Sequence, residues 1–262
     1  MYYKLQRFVT ISLILFTCCV QVHGQTIRQM DERMAWYMDR LNYWYSHADQ
    51  TMGGADSLEN NNDLFIDYLE KTVIQHDSSV FAPFPQAVKN GLNASYSTDS
   101  ILRIYAWDRK DDPDKEHMEN IAAYMTYYNI RYTDLDSLEK KGTPGYFYDS
   151  IIPVRTGEGI AYVSFYHRDK PLHIEGVKVF GIVKHKITKL PLFKDKTGSY
   201  SELTYDYSPA TGEDTGKGKL LLHFNDKHDK LYIPVISDDI FAGKFVVYAF
   251  DGYKFVLEKN TR

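Results

Sequence analysis

The sequence predicts an α+β protein in which an N-terminal helical hairpin packs on a mainly antiparallel β-domain, the latter a sandwich, open barrel or curled meander. Three observations carry this expectation. Apolar side chains recur at three-to-four residue spacing from Ile27 to Tyr45, the period of one helical face. Beyond residue 100 they alternate in short runs divided by turn residues, as antiparallel strands do. No helical run is interleaved with those strands, which argues against a parallel α/β sheet.

The 262 residues, 44% of them hydrophobic, suit one or two globular cores. Lys and Arg number 31 against 35 Asp and Glu, for a net charge of -4, with a pI near 6.1 and a mean hydropathy of -0.43. That balance offers no basic excess for nucleic acid and no bulk hydrophobicity for a multispan membrane protein. The unusual feature is an aromatic share of 15%, with 22 Tyr.

Residues 1–24 read as a signal peptide. Lys4 and Arg7 form a charged start, Phe8 to Phe16 an apolar run too short for a membrane span, and Val22 and Gly24 place small or compact side chains before a cut after Gly24. Two alternatives stand beside it: an uncleaved anchor, and a lipoprotein modified at Cys18 or Cys19, for which Phe16-Thr17 fits the processing box poorly. Both cysteines fall inside this leader, so the expected mature chain has no disulfide and no thiol nucleophile. Removal of Lys4 and Arg7 leaves 29 basic against 35 acidic residues. The expected destination is the periplasm, the outer-membrane surface or the cell exterior, with no membrane span after removal of the leader.

The rest divides into a helical hairpin over 25–80, a connecting loop over 81–99 and the β-domain over 100–262. Thr26 with Gln29 forms a capping box, and Ile27, Met30, Met34, Met38 or Tyr37, Leu41 and Tyr45 make the stripe of a helix ended by Gly53-Gly54. Trp36, Tyr43 and Trp44 fall off that stripe, so this helix is expected to pack on two neighbours. A second helix over 56–76 would bury Leu58, Leu64, Phe65, Tyr68, Leu69 and Val73. Pro83, Pro85 and Gly91 mark the connection.

Strands are expected over 100–107, 121–132, 146–154, 160–168 and 177–188, then over 219–224, 231–236, 244–250 and 253–257. Gly181 reads as a bulge and Pro234 as an edge or bulge position. Asp251-Gly252 reads as a type I′ hairpin turn. His185, between Val183 and Ile187, reads as a core histidine on the apolar face of its strand.

Asp108, Asp111, Asp112, Asp114 and Glu116 place five carboxylates in nine residues. Asp108, Asp112, Asp114 and Glu116 form a calcium candidate, because alternate spacing turns successive oxygens inward; the glycine such loops need is absent. The competing reading is a solvated acidic turn balanced by Arg109, Lys110 and Lys115. No H-x-x-x-H, G-x-S-x-G or phosphate-loop spacing occurs, and the Gly-rich stretch 211–218 reads as a hairpin tip. Tyr146, Tyr148, Tyr162 and Tyr166 are the binding candidates, with Phe147, Tyr200, Tyr205 and Tyr207 beside them, since aromatic faces stack on sugars or anchor protein partners. Against this, Tyr is simply a good former of half-buried strands.

The stretches Ser100-Ile-Leu-Arg-Ile-Tyr-Ala-Trp-Asp108, Leu231-Tyr-Ile-Pro-Val-Ile236 and Phe250-Asp-Gly-Tyr-Lys-Phe255 resemble segments of uncharacterised exported β-rich proteins of the Bacteroidota, over roughly residues 95–258. The resemblance implies export and transfers no catalytic residue; the acidic run at 108–116 departs from that family's Gly-rich pattern. The expected function is therefore binding without catalysis, of a glycan or an envelope protein through aromatic surface. The alternative is a secreted hydrolase of polymers using paired carboxylates.

Overall fold

The computed structural model describes residues 25–48, 53–139, 143, 145–170, 173–206, 222–237 and 240–258. The expected leader with Cys18 and Cys19, Tyr207 and the stretch 211–218 lie outside the described residues. The chain is α+β, with N-terminal helices preceding antiparallel sheets. No helix among the described residues is long and apolar enough to cross a membrane.

Helix α1 (Ile27–His47) starts at the expected capping box, with the Gln29 amide donating to Thr26 Oγ1 and the Thr26 amide to Gln29 Oε1. Met30, Met34, Met38 and Leu41 are buried as the spacing requires, whereas Tyr45 is exposed. Helix α2 (Gly54–Tyr68) runs on through a π-helical turn, Leu69–Val73. Leu64, expected inside, is 47% exposed. Burial explains two of the three Asn in this helix: Asn61 donates to the Tyr37 carbonyl, while Asn62 donates to the Arg109 carbonyl and accepts from Trp107 Nε1 at 3.1 Å. They fasten the helix to its neighbours.

The expected loop over 81–99 contains structure. Helix α3 (Pro85–Lys89) has proline at its first turn and no cap of its own; the buried Asp31 carboxylate of α1 supplies one, accepting from the amides of Gln86 and Ala87. Thus α1 packs on both α2 and α3. Strand β1 (Asn93–Tyr96) follows, and with β2 (Leu102–Asp108), β3 (Met118–Met125) and β4 (Ile130–Asp134) forms a first antiparallel sheet in that order. The run expected as one strand over 121–132 is thus a hairpin.

The second sheet has the order β11-β7-β6-β5, from β5 (Phe147–Thr156), β6 (Gly159–Arg168), β7 (Ile174–Val183) and β11 (Glu202–Asp206), with β8 (Lys186–Lys189) hairpinned onto β7. Gly181 is no bulge: its register is regular, and a Cβ there would lie 2.4 Å from the Leu190 side chain. The third sheet joins β9 (Phe193–Lys194), β10 (Ser199–Tyr200), β12 (His223–Phe224), β13 (Lys230–Ser237), β14 (Ile240–Phe250) and β15 (Phe255–Leu257). Its β9–β15 pair is parallel, unlike the other strand pairs among the described residues. The register shifts between Pro234 and Ile236, the irregularity proline demands. At Asp251-Gly252 only Gly252 is left-handed; Asp251 Oδ1 accepts the amides of Tyr253 and Lys254 and builds a four-residue loop in place of a type I′ turn.

The layers stack as helices, first sheet, second sheet, third sheet. On β2 and β3, Tyr105, Trp107, Ile121 and Ala123 face the helices, while Leu102, Ile104, Ala122 and Tyr124 face the second sheet. Strand β6 is covered twice, by Ala161, Val163 and Phe165 toward the third sheet and by Tyr162 and Tyr166 toward the first. At the junction of the first two sheets the β1 and β5 edges meet: the Tyr148 amide donates to Asn93 Oδ1, and Ser97 bridges Ile151.

Candidate functional site

Double coverage of β6 decides the fate of the expected aromatic surface. Tyr146, Tyr148, Tyr162 and Tyr166 are buried, at 9, 1, 2 and 0% exposure. They form core with the first sheet rather than an exposed aromatic platform, because the Tyr-Ser-Tyr face of β6 is roofed by Leu102, Ile104 and Tyr124. Two of the hydroxyls are hydrogen-bonded to acids, Tyr162 to Asp99 at 3.2 Å and Tyr166 to Glu202 at 2.6 Å. Burial pushes both phenols far above their ordinary range, and the carboxylate partners add to the rise. Phe147 stacks on His167, Tyr205 bonds Glu175 and Tyr200 bonds Thr197.

The calcium candidates do not converge. Asp108 Oδ1 accepts the amides of Lys110 and His117, Asp112 Oδ1 accepts the amide of Asp114, and Glu116 Oε2 accepts the amides of Asp169 and Lys170. These carboxylates brace loops, each separately. Among the described residues one group of carboxylates does converge: Glu119, Asp134 and Asp136, whose oxygens lie within 4.8 Å of one another. They come from β3, the end of β4 and the following 3-10 turn Leu135–Leu138. Burial, then Asp134 and Glu119, push Asp136 up to about 7. Glu119 is held by Arg109 at 2.9 Å. Glycosidase carboxyls stand about 5 Å or more apart across a substrate cleft; this trio is tighter and lines none of the cavities described below.

Among the described residues the most exposed aromatic side chains lie instead at the β3–β4 hairpin tip. Thr126 and Asn129 staple that turn: the Thr126 amide and hydroxyl both donate to the Asn129 carbonyl at 2.8 Å, and the Asn129 amide donates back to Thr126 Oγ1. Between them Tyr127 and Tyr128 project at 90 and 78% exposure, edge-to-face with centroids 5.0 Å apart. Tyr128 also lies 5.5 Å from His185.

His185 is not in the core. Lys184 and His185 are the two-residue turn between β7 and β8, both left-handed at φ 49 and 63, and His185 is exposed. This is the backbone of a type I′ turn, which Asn-Gly fills without strain. Holding non-glycine residues there costs about 1–2 kcal/mol each, and local strain of this kind concentrates at functional sites. Lys184, His185 and Tyr127 border an open groove of about 520 Å³, with Ile160 and Ile182 on its walls and Tyr162 in its floor. Of the four expected tyrosines only Tyr162 reaches this groove. Rings, apolar walls, one ammonium and one imidazole, with no acid among its lining residues, make a surface that can stack on a ring and hydrogen-bond its substituents.

The 108–116 loop borders a different cavity. A cleft of about 300 Å³ separates it from the C-terminal half of α1, with Tyr45, Lys110, Lys115, Phe147 and Lys170 among its lining. No protein-family model matches the chain, and neither the curated proteins nor the solved structures give a match.

Proposed function

We propose that this is an exported, non-catalytic binding protein that holds a glycan on the ledge made by Tyr127, Tyr128, Lys184 and His185. The observation that carries the reading is the placement of two adjacent, almost fully exposed tyrosines on a stapled hairpin tip, beside a strained turn that displays Lys184 and His185. Large exposed rings lose little entropy on binding and present apolar faces that match the C–H faces of sugars. An open groove, rather than an enclosed pocket, admits an internal segment of a polymer. The leader read over 1–24 and the resemblance to exported β-rich proteins support export.

Affinity electrophoresis of the chain from Gln25 onward, through gels containing defined polysaccharides, tests this. At least one polysaccharide should retard the protein, and Y127A/Y128A should weaken the retardation about tenfold, corresponding to about 1.4 kcal/mol. Retardation by none of them, or retardation unchanged in the double variant, rejects the ledge. Capture of an envelope protein through the same two tyrosines would replace the glycan with a protein partner.

A further inference from the structure

The cleft between α1 and the 108–116 loop has a chemistry of its own. Its floor is apolar, from Met38 and Leu41, and Tyr45 and Phe147 supply rings. Its formal charges cancel, because Lys110, Lys115 and Lys170 face Asp108, Asp112 and Glu116. Its hydrogen bonding does not cancel. One oxygen of each acid is already committed to backbone amides: Asp108 to Lys110 and His117, Asp112 to Asp114, Glu116 to Asp169 and Lys170. The lysines are held loosely, Lys110 at 4.0 Å from Asp108 and Lys115 at 3.9 Å from Asp112, the outer limit of an ion pair. Lys170 makes no ion pair among the described residues. Each ammonium carries three donors, and no hydrogen bond within 3.5 Å from Lys110, Lys115 or Lys170 Nζ to these acids is present among the described residues.

Lys110 adds a second argument. It is left-handed at φ 60, and its ammonium lies 5.2 Å from the Tyr45 ring centre. That backbone conformation favours Gly or Asn, and the position of the ammonium brings a cation and a ring together in one cleft. From these features we infer that the cleft binds a small organic anion, a carboxylate or phosphate ester whose apolar or ring-shaped body rests on Tyr45 and Phe147 while its charge meets Lys110, Lys115 and Lys170. A volume of about 300 Å³ suits one sugar-sized molecule and no polymer. The site is separate from the ledge and does not depend on it.

Isothermal titration of the chain from Gln25 onward with glucuronate, glucose 6-phosphate and glucose tests the inference, the two anions distinguishing carboxylate from phosphate. At least one anion should bind saturably and about tenfold or more tighter than glucose. Lys170→Gln and Lys110→Asn, the latter chosen because Asn tolerates the left-handed backbone, should each weaken that anion about fivefold or more. Y127A/Y128A should leave it unchanged. Binding of glucose as tight as of both anions, no binding of either anion at about 10 mM, or full binding by both lysine variants overturns the site.

Discussion

The carboxylate trio makes a pH-dependent prediction whose sign follows from Asp136. Its amide is capped by Asp134 Oδ1 at 2.8 Å, and its own carboxyl is pushed from 3.8 to about 7 by burial and by the charges of Asp134 and Glu119, with His117 and Lys178 acting in the opposite sense. Between these two values the folded chain keeps a proton that the unfolded chain has released. Stability therefore falls as pH rises through the window, and above about 7 the full cost of the ionised carboxylate is present. A rise of this size corresponds to at most about 4 kcal/mol; with solvent screening at a partly exposed site we expect about 2 kcal/mol. Asp136→Asn keeps the shape, leaves the backbone cap in place and cannot ionise. In urea denaturation it should match the parent near pH 4 and exceed it by about 2 kcal/mol near pH 8, equivalent to roughly 4–8 °C in Tm. A stability difference independent of pH, or a variant weaker than the parent at pH 8, refutes the argument.

Two further substitutions probe the core beneath the second sheet. Gly176→Ala should cost about 1–3 kcal/mol, because its Cβ would lie 2.4 Å from the Tyr166 ring and 2.8 Å from the Leu203 carbonyl; chemical denaturation measures it, and a neutral result would mean that Tyr166 is not packed against β7 as described. Lys178 is 1% exposed and pairs with Glu139 at 2.9 Å and Glu202 at 3.6 Å. Lys178→Met should cost about 3 kcal/mol by leaving acids undercompensated, softened because Glu139 retains Lys189. Adding Glu202→Gln should recover part of the loss in a double-mutant cycle, and additive losses would show that the two groups do not interact.

Legibility in the sequence followed the range of each signal. The capping box at Thr26 and the Met30–Met34–Leu41 stripe depend on residues within one or two turns, and both stand in the structure. The alternation of β6 correctly divided Tyr162, Ser164 and Tyr166 from Ala161, Val163 and Phe165, but alternation tells which side chains share a face and not what covers it. The first sheet covers the tyrosine face, so residues that resembled an exposed platform are core. Lys184-His185 carries none of the usual turn chemistry, so the sequence pattern runs through it as through a strand. Thr126 and Asn129 are turn formers flanking Tyr127-Tyr128, the one local signal of the ledge, and the surrounding β-forming tyrosines masked it. Helix α3 and β1 were hidden by Pro83, Pro85 and Gly91, because Pro85 opens a helix as readily as it breaks one. Glu119, Asp134 and Asp136 meet only through the pairing of β3 with β4 and the turn beyond it, where spacing alone does not reveal a shared site.

Glycan binding at the ledge requires that Tyr127 and Tyr128 meet solvent in the free protein and the ligand in the complex. Hydroxyl-radical footprinting read by mass spectrometry, with and without the polysaccharide that retards the protein, measures both. Tyr127 and Tyr128 should be modified rapidly in the free protein, along with Tyr253 of the β14–β15 loop, while Tyr146, Tyr148, Tyr162 and Tyr166 stay protected. The polysaccharide should then shield Tyr127 and Tyr128 and leave Tyr253 reactive. Rapid modification of Tyr148 and Tyr166, or shielding of Tyr253 with the ledge still reactive, would contradict it.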